Sequence, residues 1–253
     1  MADRLYLSLW YPNFRLEALP AALAGVLRQF AVVGSKRVSA ASAYPINFTE
    51  SPTYQRIYVD TSTPTDLPGI DPAAAADDSA IENAVGEATE QLHDDMAYEF
   101  EMRWQLWAPQ DPAAQGRFNV SSADPDDPPE PDPDFDFDAP TLADPSTPWR
   151  LRPHIVRILG FGPQFDVAGY EQNGHLLVDF GLDTPWVPDQ PMDTLEDRAL
   201  NEEAQIHIQQ NIEKLLAFTL LVEKNCGISS RLLWTESGEP LAEKLIARLQ
   251  RVH

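Results

Sequence analysis

The sequence predicts an α+β protein in which antiparallel or mixed sheet is backed by helices, and three observations carry that prediction. First, Tyr98 to Trp107 alternates strictly. Tyr98, Phe100, Met102, Trp104 and Leu106 point one way and Glu99, Glu101, Arg103 and Gln105 the other, as in a strand with one buried and one solvated face. Second, Thr194 to Asn225 repeats apolar residues at helical spacing (Ala204, Ile208, Ile212, Leu215, Thr219, Val222) over about 45 Å, long enough to back a whole sheet. Third, strand-like and helix-like stretches succeed one another as β-α-β-β-α-β before residue 123 and as β-β-α-β-α after 148.

In order, Arg4 to Tyr11 alternates bulky residues and reads as a strand closed by Pro12. Leu19, Leu23, Val26, Leu27 and Phe30 then follow helical spacing, with Pro20 tolerated in the first turn. A weak strand falls near Val38 to Ile46 and a clearer one over Tyr54 to Asp60. Thr61 to Asp77 carries prolines and an alanine run and reads as loop. The capping box Ser79-Ala80-Ile81-Glu82 opens a helix running to His93, which is placed to complement the C-terminal dipole. With Tyr98 to Trp107 this completes the element order of a ferredoxin-like split βαβ unit.

Residues 123–148 break the pattern. They hold nine acids, eight prolines and no Lys or Arg, so self-repulsion and proline stiffness predict an unpacked linker. Beyond it, Trp149 to Gly160 and His175 to Leu182 read as strands of one hairpin with a long loop. The long helix follows, opened by the capping box at Thr194 and stopped at Gly227. Arg231 to Thr235 is a short strand, and a last helix opened by Pro240 carries Leu241, Leu245 and Leu249. The expected organisation is therefore 1–122 and 149–253 packed as one body around an acidic, proline-rich 123–148. The terminal helix is the natural cover for Leu220 and Leu221, which project from the main stripe of the long helix.

Composition narrows the function classes. The chain has 253 residues, 43% hydrophobic, and a net charge of -22, of which the 123–148 stretch supplies nine units and the remainder -13. That charge opposes phosphate backbones and anionic membranes, so neither nucleic acid nor membrane is an expected partner; a protein partner is. The single Cys226 excludes an internal disulfide and suits a reducing, cytoplasmic setting. The N-terminal apolar run is too short and too aromatic for a secretory leader.

No linear motif of catalysis stands. Asp179-Phe180-Gly181 spells the kinase magnesium triplet, but no glycine-rich loop, strand lysine or catalytic loop accompanies it. Gly160-Phe161-Gly162 lacks the third glycine and the helix a dinucleotide needs. The acidic run around Phe135 and Phe137 lacks the glycine and terminal glutamate of a calcium loop; it reads as solvated linker, or as aromatics displayed for a partner. Glu203 and His207 have chelate spacing without a third ligand, so no metal or cofactor is expected. His175 and Asp179 share a strand face with Asp183 just beyond, a candidate polar site at a strand end. Trp107 and Trp186 would mark an interface if exposed together, though core is the commoner fate of tryptophan.

The leading expectation is a non-enzymatic protein acting through protein–protein contact or as structure. The alternative is an enzyme or small-ligand binder with carboxylates near strand ends. A third idea, a nucleic-acid mimic, is weakened by the concentration of acids in one connection.

Overall fold

In the computed structural model the described residues are 3–45, 54–57, 78–109, 149–166, 173–187 and 198–237. They form a seven-stranded sheet with three α-helices. In chain order these are β1 (Arg4–Trp10), a 3-10 turn (Leu16–Ala18), α1 (Leu19–Val33), β2 (Ala40–Pro45), β3 (Tyr54–Ile57), α2 (Asp78–Ala88), β4 (Met96–Pro109), β5 (Trp149–Phe161), β6 (Leu176–Leu182), α3 (Arg198–Asn225) and β7 (Ser230–Thr235). The strands lie side by side as β3-β2-β4-β5-β6-β1-β7, and every neighbouring pair is antiparallel.

The α+β class holds, but the sheet is not ferredoxin-like. The β-α-β-β-α-β order is present along the chain, yet β1 does not pair with β2, β3 or β4. It sits instead between β6 and β7, both from beyond residue 148. The reason is a more extensive match elsewhere. β4 and β5 are long alternating strands that pair from Ala97↔Phe161 to Pro109↔Trp149, and β5 occupies the flank of β4 that β1 would take.

The core lies between the sheet and the helices. Leu5, Leu7 and Leu9 of β1, Phe100 to Leu106 at alternate positions of β4, and Leu176, Val178 and Phe180 of β6 face Leu23, Leu27 and Phe30 of α1 and Ile212, Leu215, Phe218 and Val222 of α3. The predicted α3 stripe is therefore the buried one. Trp104 is central: its ring stacks at 15° on Phe180 and meets Phe218 edge-on, and its indole N–H donates to the Val33 carbonyl. Gly160 fits under α1 because a Cβ there would come within 2.6 Å of Leu19. The stretch Leu16–Val33 is long and apolar enough to cross a membrane by composition, but α1 is a core helix, with Leu19, Leu23, Val26, Leu27 and Phe30 fully buried.

Three local expectations need correction. α2 ends at Ala88 rather than at His93; Thr89 closes its last turn, donating both its backbone N–H and its hydroxyl to the Val85 carbonyl at 2.9 and 2.6 Å. His93 thus lies outside the helix and donates its backbone N–H to the Tyr98 hydroxyl. Leu220 stays 57% exposed, against the expectation that a terminal helix covers it. The expected terminal helix, the 61–77 loop, the 123–148 stretch and the capping box at 194–197 lie outside the described residues. Gly227 does take the left-handed conformation beyond α3, with φ at 63°.

Candidate interaction face

All three helices pack on one side of the sheet, because the large side chains of β1, β4, β5 and β6 alternate in phase. The other side carries no helix among the described residues. Strand register sets what it shows. One row crosses five strands: Glu101 beside Arg157, Arg157 beside Asp179, Asp179 beside Tyr6, and Tyr6 beside Trp234. The next row is Glu99, Leu159, Leu177, Ser8 and Leu232.

The charges in these rows are paired with one another. Arg157 Nε lies 3.2 Å from Glu101 and 3.3 Å from Glu99. Burial works against the Arg157 charge, but the hydrogen bond and charge of Glu101 and the charge of Glu99 outweigh it and hold the guanidinium above its usual pKa. Tyr44 donates its hydroxyl to Glu99 at 2.9 Å. Burial first and the Glu99 charge second push that phenol up. Arg4 donates to Asp179 at 2.7 Å, and the second oxygen of Asp179 accepts the Gly181 N–H. Gly181 is needed there: the register slips by one residue between Arg4 and Tyr6, and the bulge sets its φ at 75°. Tyr6 stacks on Trp234 at 4.7 Å, and Trp234 Nε1 donates to the buried Ser8 hydroxyl at 2.9 Å.

Beside this ladder the face is open and mixed, with Arg103 and Gln105 of β4 exposed opposite Ile155 and Pro153. Leu151 and Ile155 of β5 are 48% and 47% exposed, and Leu232 of β7 is 51% exposed. At the opposite end the turn after β5 lays Phe165 against Phe161 and Tyr44, covering Ala97.

The polar candidates read from the sequence are strung along β6 rather than gathered. His175 and Asp179 do share a face, but four residues of strand separate them by roughly 13 Å. His175 Nδ1 accepts the Tyr11 N–H at 3.0 Å, and its ring stacks on Phe14 at 4.4 Å. Burial lowers its pKa. Asp183 is buried at the far end of β6, where it accepts the Asp3 N–H at 2.9 Å. Each has its own partner, and no group of three or more His, Cys, Asp or Glu side chains converges on a metal site among the described residues.

The tryptophan pair is also divided. Trp186 is fully buried and donates its indole N–H to the Asn211 carbonyl, so it is core and not an interface residue. Trp107 is half-buried under His207, whose ring lies 4.0 Å away and stacks on Trp149 as well. Phe135 and Phe137 lie outside the described residues.

β4 runs past the end of β2, and its outward backbone groups are taken up by the Ser35 backbone and by side chains. Arg103 pairs with Ser35, the Gln105 carbonyl accepts from Lys214, and Trp107 exchanges two bonds with the buried Asn211 side chain. Asn211 also donates to the Pro185 carbonyl, tying α3, β4 and the loop after β6 together. Nothing in the sequence singles out Asn211, Arg157 or the Tyr6–Trp234 pair, since each acquires its partner from strand register. Cys226 is half-buried, and burial pushes its thiol up to about 11, away from thiolate chemistry.

Compared with protein-family models, curated proteins and solved structures, the chain matches none.

Proposed function

We propose that this chain works through protein–protein contact, with the helix-free face of the sheet as the docking platform. The observation that carries the reading is the make-up of that face: half-exposed Leu151 and Ile155 beside a ladder whose charges are already paired, three carboxylates with two guanidinium groups. A saturated ladder costs little to cover, because each ion keeps its partner when water is displaced. The exposed apolar side chains supply the gain. A general acid or base is normally poised with spare hydrogen-bonding capacity toward substrate, and Glu99, Glu101, Arg157 and Asp179 are spent on each other. The net charge and single cysteine fit a reducing, cytoplasmic setting. The acidic 123–148 stretch is a second contact arm in this reading, with Phe135 and Phe137 displayed to the same partner.

The test is affinity capture from the native lysate with three forms of the full chain: wild type, Leu151→Glu with Ile155→Glu, and a deletion of residues 123–148. Pro109 pairs with Trp149, so the remaining residues 110–122 can close the β4–β5 connection after deletion. Loss of a retained partner from the double variant, with an unchanged melting temperature, supports the face. Equal capture by the double variant refutes it, and loss only on deletion moves the contact to the acidic arm.

A further inference from the structure

We propose that a second copy of this chain pairs with β7, strand against strand about a twofold axis through Leu232, joining two seven-stranded sheets into one. β7 is the last strand of the sheet, and only β1 lies beside it among the described residues. Glu236 donates its N–H to the Arg4 carbonyl, and Ser229 donates to that of Trp10. With the register Tyr6↔Trp234 and Ser8↔Leu232, the Glu236 bond sets the even-numbered β7 residues against β1, while the Ser229 bond falls one residue out of register, before the strand begins. The backbone groups of Arg231 and Leu233 point the other way, out from the sheet.

Natural edge strands are blunted by lysine, proline or a bulge, and β7 has none of these. Its one charge, Arg231, is turned away onto Glu223 of α3 at 2.6 Å. The overhang of β4 is capped by Ser35, Lys214 and Asn211; the outward backbone groups of Arg231 and Leu233 have no comparable cap among the described residues. The flank shows an exposed leucine in each layer. Leu232 is 51% exposed on the sheet, and Leu220, one helical turn before Glu223 on the same side of α3, is 57% exposed.

The edge is self-complementary. An antiparallel copy centred on Leu232 sets Arg231 opposite the partner copy's Leu233 and the reverse, exchanging four backbone hydrogen bonds. Leu232 then meets its own counterpart in a non-hydrogen-bonded pair, with Cα atoms about 4.5 Å apart. No like charges face each other in this register. The net charge of -22 on each copy opposes approach at long range, so added salt strengthens the pairing. This goes beyond docking on the open face and does not depend on it, because cross-linking at 232 succeeds or fails whatever that face binds.

The experiment uses the full chain with Cys226→Ala, adding Leu232→Cys, Leu233→Cys or Val32→Cys, under mild oxidation, with wild type sedimented in parallel. A 4.5 Å pair is within disulfide reach, whereas 233 meets its counterpart only on the diagonal at roughly 7–8 Å. The expected result is a concentration-dependent dimer, cross-linked at least tenfold faster through 232 than through 233 or the exposed position 32. Leu232→Lys should abolish the dimer without moving the melting temperature. A wild type that stays monomeric at every concentration overturns the proposal and leaves the edge to the chain's own residues beyond Ser237 or to another protein's strand. Cross-linking through 233 as fast as through 232 overturns the register and the twofold with it.

Discussion

Replacing Asn211 tests how the long helix is locked to the sheet. Its side chain is fully buried and makes three hydrogen bonds: it accepts the Trp107 N–H and donates to the carbonyls of Trp107 and Pro185, each at 2.9 Å. Asn211→Leu keeps the volume and removes all three. An orphaned buried group costs about 1–3 kcal/mol, and Trp107 and Pro185 are half-buried, so water recovers part of the loss. The low end applies, about 1 kcal/mol per bond and about 3 kcal/mol in all. For a chain of this size that is a melting temperature lower by roughly 6–12 °C. Asn211→Asp sharpens the test, because it retains the acceptor but sets a buried carboxylate against two carbonyls. That environment raises the folded-state pKa of the new carboxyl above its unfolded value. The destabilisation is then full at neutral pH and relieved as pH falls through the folded pKa. Urea unfolding followed by tryptophan fluorescence at several pH values reads both effects. A loss below about 1 kcal/mol for the leucine variant, or a pH-independent penalty for the aspartate variant, would show that the side chain does not hold these elements together.

Other consequences are open to direct measurement. With the Cys226 thiol pushed up to about 11 by burial, alkylation at pH 8 should run more than tenfold slower than for an unperturbed thiol and recover in denaturant. His175 has its pKa lowered by burial and accepts a backbone N–H on Nδ1. The unfolded chain thus binds this proton more readily. The His175 contribution is present at pH 7.5 and lost as pH falls below about 6.5, so the urea midpoint drops on acidification and drops less in His175→Gln. Gly181→Ala places a Cβ at φ 75° and should cost about 1–2 kcal/mol in equilibrium unfolding, while Gly86→Ala, with open space around its Cβ, should not destabilise.

The elements were legible in the sequence; their neighbours were not. The period-two alternation of β4 and the stripe of α3 predict local structure because burial imposes them residue by residue. Asp179 and His175 were placed on one face for the same reason. Which strand lies beside β1 depends on contacts between residues more than 160 positions apart, and period alone carries no such information. The ladder from Glu101 to Trp234 shares that origin: its members, Asp179 among them, are spread over five strands and meet only through register. Trp186 sits in a proline-rich connection, where the average burial of tryptophan favours core but names no partner. Its burial follows from one indole N–H finding the Asn211 carbonyl in the middle of a distant helix.

The pairing of Pro109 with Trp149 has a consequence for how the chain finds its fold. Residues 110–148 leave and re-enter the sheet at directly opposed positions, so the longest strand pair must close a ring where a two-residue turn would serve. By the logarithmic growth of closure entropy, that detour costs roughly 2–3 kcal/mol and slows the search for the β4–β5 register. A version with the excursion replaced by an Asn-Gly turn should refold faster and melt higher. The natural chain carries that closure cost before its longest strand pair can form.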